Sequence, residues 1–198
     1  PIKLIEKHGA DGVRVGMLFS SPAGNDLLFD ESYCEQGRNF SNKIWNAFRL
    51  IKGWEVSDTV EVDEVAEKAN LWFADRFQLA LKELNDHYDK FRISDALMTG
   101  YKLTWDEFCS WYLEMVKPAF GRPISRQNYN QVIHHLENIM RVLNPFMPFI
   151  TEEIWQTITD RKEGDSLMVN HWPEVKKTEA LVGEFELTKN LISEIRTV

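Results

Sequence analysis

Cysteine is nearly absent: Cys34 and Cys109 are the only two in 198 residues. Two thiols so far apart form no disulfide framework, and a reduced, cytoplasmic compartment is the default. Long hydrophobic runs are missing too. The longest apolar stretches are a few residues, so none can span a bilayer and no membrane partner is expected. No basic, apolar leader opens the chain. It begins at Pro1 rather than Met, so we expect a segment cut from a longer protein. Positive charge is scarce, with 23 Lys and Arg against 31 Asp and Glu and a formal net charge of -8. Any surface for nucleic acid must therefore be local.

The groups that catalysis needs do not converge either. His134 and His135 are adjacent, and neighbours on a helix point about 100° apart, a poor arrangement for a shared metal. No Glu has a His three residues later, as a di-iron bundle requires. A Gly-x-x-x-x-Gly-Lys phosphate loop and a Gly-x-Ser-x-Gly elbow are both missing. Glu152 and Glu153 open a helix, where carboxylates favour the macrodipole without any acid–base role. We expect no catalytic residue and no metal ligand within this chain.

What is present is a core. Hydrophobic residues make up 43% and aromatics 12%, with seven Trp. Their periodicity is helical. Two short helices are expected over residues 1–21, divided at His8-Gly9, then a turn over residues 20–25 and an extended piece from Asp26 to Asp30, with Asp30 as a helix cap. Glu35–Trp54 is a helix ended by Gly53. An acidic loop covers residues 55–64. A long helix spans Asp63 to Lys90. Another runs from a cap at Ser94 or Asp95 to Val116, with Leu97, Tyr101, Phe108, Tyr112 and Met115 inward, and Pro118 stops it. After a loop over residues 119–126 comes a helix over Asn128–Leu143. Pro145 and Pro148 break the chain, and Thr151 is the expected cap of the next helix. A turn at residues 161–165, an extended piece to Trp172 and an amphipathic helix over residues 178–198 complete the chain. The fold class is all-α, an up-down bundle with a small mixed segment in front.

One helix stands out. In Glu35–Trp54, Phe40, Ile44, Ala47, Phe48 and Ile51 share one face. Arg38, Asn39, Asn42, Lys43, Asn46 and Arg49 share the other. That second face holds three cations, three amides and no carboxylate. A solvated helix back usually mixes Glu with Lys, and Asn is a poor helix former. Guanidinium and amide groups donate to phosphates and base edges. Trp54 follows the helix end and leads into a polar loop, where stacking on a ligand ring and simple packing are both open.

Five stretches carry a family resemblance. Arg38 to Arg49, RNFSNKIWNAFR, resembles the helix that opens the anticodon-binding domain of class I aminoacyl-tRNA synthetases, in the form used by the valine branch. His8 to Arg14, HGADGVR, is similar to a stretch shortly after that family's KMSKS loop. Trp105 to Glu114, WDEFCSWYLE, followed by Lys117-Pro118, resembles one of its helices, with Ser110 where the family has Asp. Pro145 to Trp155, PFMPFITEEIW, resembles its late turn, and Trp172-Pro173 its WP pair. The HIGH-type and KMSKS motifs are themselves absent.

The resemblance implies a division of the chain. Residues 1–33 would be a remnant of the stem-contact region that follows the catalytic domain, and residues 34–198 the helical anticodon-binding domain. It implies tRNA, through its anticodon stem-loop, and the catalytic domain of the same chain as partners. ATP and magnesium would belong to that catalytic domain, and no cofactor is expected here. Arg38, Lys43 and Arg49 would contact phosphates, with Asn39 on the same face. Asn42 and Asn46 would read unstacked bases, and Trp54 would stack. Lys117, Phe120 and Arg122 would form the facing wall. Two alternatives stay open: a helical module whose Arg/Asn face binds an acidic protein, and the same domain of an isoleucine or leucine enzyme.

Overall fold

The structure, a computed structural model, describes residues 1–21, 26, 28–178 and 182–197. The turn expected over residues 20–25 and the piece from Asp26 lie partly outside the described residues, as does the first turn expected of the last helix.

Helix α1 (Ile2–Phe19) is two helical pieces that meet at Gly9, whose φ of 74° a side chain would oppose. Helix α2 (Glu31–Lys52) starts where Asp30 accepts from the Ser32 N–H at 2.8 Å. The two helices pack closely because glycines line the seam. A Cβ on Gly16 would lie 2.5 Å from Cys34 Sγ, and one on Gly37 would lie 2.6 Å from the Gly12 carbonyl oxygen.

Helix α3 (Glu64–Asp89) is capped by Asp63, which accepts from Ala66 N–H at 2.7 Å. Helix α4 (Ile93–Lys102) continues through a π-helical stretch, Leu103–Tyr112, into the short α5 (Leu113–Val116). Neither Ser94 nor Asp95 caps α4. Its N-cap residue is Arg92, with which Asp95 forms a 2.7 Å ion pair instead. The wider π repeat buries Leu103, Thr104 and Cys109 beside the expected Phe108 and Tyr112, and leaves Tyr101 and Met115 at the core's edge.

Helix α6 (Arg126–Leu143) opens at Ser125, which accepts from Asn128 N–H. Helix α7 (Pro148–Ile158) begins on its proline, as a missing N–H costs nothing there. Thr151 is not its cap: the residue lies inside the helix and donates to the Met147 carbonyl at 2.8 Å. Leu167–Val169 form a 3-10 turn in the piece expected to be extended. Helix α8 (Val182–Thr197) follows and stacks Phe185 on Trp72.

The fold is an all-α bundle. Among the described residues the only sheet is a two-residue parallel bridge, β1 (Val56–Ser57) with β2 (Ile124–Ser125). It lies between two loops rather than in the front segment, which is helical through Phe19. Phe40, Phe48, Phe77, Phe108 and Tyr112 are all buried, as the periodicity required.

Two hydrogen bonds orient the bundle. Lys52 Nζ donates to the Ile158 carbonyl, so α2 and α7 end together. Ile124 N–H donates to the Glu55 carbonyl at 2.8 Å, so the loop before α6 closes against the chain leaving α2. The C-terminus of α2, the N-termini of α3 and α6 and the loop over residues 117–126 therefore share one end of the bundle.

Candidate nucleic-acid interface

Helix α2 turns its apolar stripe inward, and Phe40, Ile44, Ala47, Phe48 and Ile51 are all buried. The other face is exposed at Asn39, Asn42, Asn46 and Arg49. Among the described residues these four side chains make no hydrogen bond or ion pair. Their donors are satisfied only by solvent or by a ligand.

The two flanking cations are engaged. Arg38 is half-buried against α1. Its Nη1 donates to the Lys7 carbonyl at 3.4 Å, and Nη2 lies 3.8 Å from Glu35. It borders a cleft of 520 Å³ with Asn42, Gly9, Asp11 and Glu153. Lys43 lies on the other side, its ammonium 5.4 Å from the centre of the Trp105 ring. The freest cation on the face is thus Arg49, near the end of α2.

Trp54 follows that end. It is half-buried and rests on the hydrophobic core, with its backbone N–H donating to Ile51. Across the β1–β2 bridge, Phe120 stands fully exposed at the tip of a turn. Arg122 N–H closes this turn on the Ala119 carbonyl at 2.9 Å, and Gly121 takes a φ of 69°. Arg122 is exposed, and Lys117 pairs with Glu114 at 2.6 Å. The bundle end therefore brings Arg49, Trp54, Lys117, Phe120 and Arg122 to one region. Arg38, Asn39 and Asn42 lie further along α2, toward its junction with α1 and α7.

Sequence reasoning missed two groups. Asp11 and Arg14 hold the corner between α6 and α7 through backbone bonds to Phe149, Ile150, Phe146 and Pro145. A charged pair one turn apart in the otherwise apolar second half of α1 was the available signal. The second is a row of amides, Gln127, Asn130 and Gln131, exposed on the first turns of α6. Like the α2 row it holds no carboxylate.

Burial raises the pKa of both thiols, that of Cys109 to about 12. Among the described residues no three His, Cys, Asp or Glu side chains are grouped to hold a metal ion. No helix of the described residues is long and apolar enough to cross a membrane.

An all-α bundle with an amide and cation face fits a binding domain, and sequence similarity defines its class. The chain belongs to the anticodon-binding domains of tRNA ligases, whose family model matches residues 70–198. Within that class its relatives are valine–tRNA ligases. It is 54% identical over 199 residues to the valine–tRNA ligase of Christiangramia forsetii and 54% to that of Phocaeicola vulgatus. Over 205 residues it is 34% identical to that of Listeria innocua. Each alignment covers all of this chain and 23% of the relative, so the chain spans about a quarter of their length. A LeuRS–tRNA–LeuAMS ternary complex from Agrobacterium radiobacter shares the fold. Its TM-score is 0.67 at 19% identity, covering 92% of this chain and 21% of that one. Helices α1 and α2 lie before the family match but within the alignments to the valine enzymes.

Proposed function

We propose that this chain recognises the anticodon loop of tRNA as a non-catalytic part of a valine–tRNA ligase. The observation that carries the reading is the α2 face. Four exposed donors without a protein partner among the described residues, in a chain of net charge -8, lead to the end where Trp54 and Phe120 offer rings. Side-chain amides reach base edges, guanidinium groups reach phosphates, and aromatic rings accept unstacked bases. On this reading residues 1–33 are the remnant of the stem-contact region and residues 34–198 the anticodon-binding domain. The catalytic domain of the same cytoplasmic enzyme is the second partner. ATP and magnesium act there. The described residues of this chain group no ligands for a metal.

The test is a titration of the full-length protein with tRNA transcripts varied only in the anticodon, beside an unrelated acidic polymer. Tight binding that weakens when valine anticodons are replaced supports the reading. Equal binding of the acidic polymer would favour a protein-interaction face. Preference for an isoleucine or leucine anticodon would move the domain to another branch. The isolated chain should show no valine-dependent ATP–pyrophosphate exchange, because the HIGH-type and KMSKS motifs are absent from its sequence.

A further inference from the structure

The α2 face is not the only row of unengaged amides. On the far side of the bundle a groove runs between α3 and α6. Two adjoining cavities of 300 and 290 Å³ make it up, and they share Leu71, Ala74, Gln131 and His135. Its lower mouth, beside Val62 and Gln127, opens at the end of the bundle that carries Trp54 and Phe120. Its upper part is closed by the strap that follows the 3-10 turn. Trp172 Nε1 donates to Asn85 Oδ1, and Lys176 N–H donates to Gln78 Oε1 at 2.7 Å, which brings Lys176 and Lys177 to the groove.

Three features of the groove suit one kind of occupant. Its lining is mixed, with the apolar surface of Leu71 and Ala74 beside Gln127 and Gln131. Gln127 and Gln131 make no side-chain hydrogen bond among the described residues. His135 is 5% exposed; its ring bonds to the Asn70 backbone, and Nε2 is left without a partner. Each cavity exceeds the volume of one nucleobase. The pair of lysines at the strap supplies positive charge within a backbone's reach. Two carboxylates share the lining, Glu67 at the lower cavity and the buried Asp75 at the upper one; Asp58, on the adjoining loop, is held in a 2.9 Å ion pair with Arg126.

We propose that this groove accepts one base of the anticodon loop, extruded from the stack, with Gln131 and Gln127 bonding its edge and Lys176 and Lys177 its phosphate. The inference rests on the tRNA reading above. It adds a second reading surface, so that the loop straddles the bundle end, with α2 and Trp54 on one side and the α3–α6 groove on the other. A side-chain amide bonded bidentately to a base edge discriminates among bases, and single-stranded loops present those edges.

The experiment measures binding of an anticodon stem-loop RNA to the full-length protein and four variants, with thermal melts as a folding control. Gln131→Ala removes the proposed edge contact, and Ala74→Phe fills the groove. Asn46→Ala and Arg49→Ala probe the α2 face separately. Each groove variant should bind about tenfold more weakly. An abasic substitution at the responsible loop position should cost as much, and should cost nothing further in Ala74→Phe. If both groove variants bind as the native protein does while the α2 variants weaken, the groove inference falls and the tRNA reading stands. If only the groove variants weaken, the groove stands and the α2 assignment falls. If the native protein does not bind the stem-loop, both fall. Should Ala74→Phe fail to fold, Gln131→Ala on the exposed side of α6 still decides the matter.

Discussion

The Asp11 carboxylate accepts a 2.7 Å hydrogen bond from the backbone N–H of Ile150, a residue 139 positions later. Its other oxygen takes the Phe149 N–H at 3.3 Å. One turn along α1, Arg14 donates to the Phe146 and Pro145 carbonyls at 3.0 and 2.9 Å. Helix α7 has no cap of its own, because Met147 precedes it. Its first amides are thus satisfied from another helix, and the two resembling motifs HGADGVR and PFMPFITEE are one joint.

Breaking that joint should cost stability. Asp11→Ala should lose about 1–3 kcal/mol in denaturant melts, since it leaves two partly buried helix N-terminal amides unpaired. Asp11→Asn keeps one acceptor and should lose less. Burial raises the Asp11 pKa, against the lowering by its bonds to Ile150 and Phe149. A raised carboxyl contributes most below its unfolded pKa and less as pH rises through the folded one. The advantage of the native protein over Asp11→Asn should therefore narrow as pH rises from the acid side. A gap that widens would place the charged form in a better-solvated setting than the structure shows.

The α1–α2 seam is equally sharp. A methyl on Gly37 would meet the Gly12 carbonyl at 2.6 Å and Val15 Cβ at 2.8 Å, and neither is the end of a flexible side chain. Gly37→Ala should destabilise by about 1–3 kcal/mol through overpacking. Gly53→Ala is the control. Its nearest neighbour would be 3.3 Å away, so a much smaller change in melting temperature is expected.

Helix positions, the buried stripes and the break at Gly9 were legible because each depends on neighbours within a few residues. The Phe40 to Ile51 stripe repeats at helical spacing, and Asp30 and Asp63 cap helices that begin just after them. What was not legible is non-local. Thr151 has the chemistry of a cap, but Asp11 supplies that role from another helix. The π-helical stretch around Phe108 has no marker in the local sequence pattern, which reads as an ordinary helix. The same limit governs the candidate site. Sequence places Arg38 and Arg49 on one face, but only the fold ties Arg38 to Lys7 and leaves Arg49 without a partner among the described residues.

His135 gives a pH test. Its ring sits edge-on to Phe73 and Tyr112 at 5.0 and 5.2 Å. Burial lowers its pKa from 6.5 to about 3, so the folded state holds it neutral. Below 6.5 the unfolded chain binds a proton that the folded chain does not. Stability present above that pH is therefore lost as pH falls toward 3. His135→Phe should flatten this acid limb, which urea melts across that range would measure. An unchanged slope would assign acid sensitivity to other groups.

The α2 cations should separate by salt dependence. Arg49→Ala should weaken tRNA binding and lower the slope of log affinity against log salt by about one phosphate contact. Arg38→Ala removes a side chain that also holds α1, so its effect should appear in the melt as well. Equal salt slopes for native protein and Arg49→Ala would take the phosphate path away from this end of α2.

Phe120 and Trp54 were assigned to the same end of the bundle, yet only one of them is built into the core. Phe120 is 107% exposed, so Phe120→Ala should leave the melting curve unchanged. If its ring accepts a base, the variant should still lose about 1–3 kcal/mol of tRNA affinity, the usual loss for a stacked base. Trp54 packs on the core, so Trp54→Ala should lower stability and affinity together. Trp54→Phe restores part of the packing and offers a smaller stacking surface, which separates the two effects. Normal tRNA binding by Phe120→Ala and by a stable Trp54→Phe would leave the loop end without a stacking platform. The amide rows of α2 and α6 would then have to hold the RNA without one.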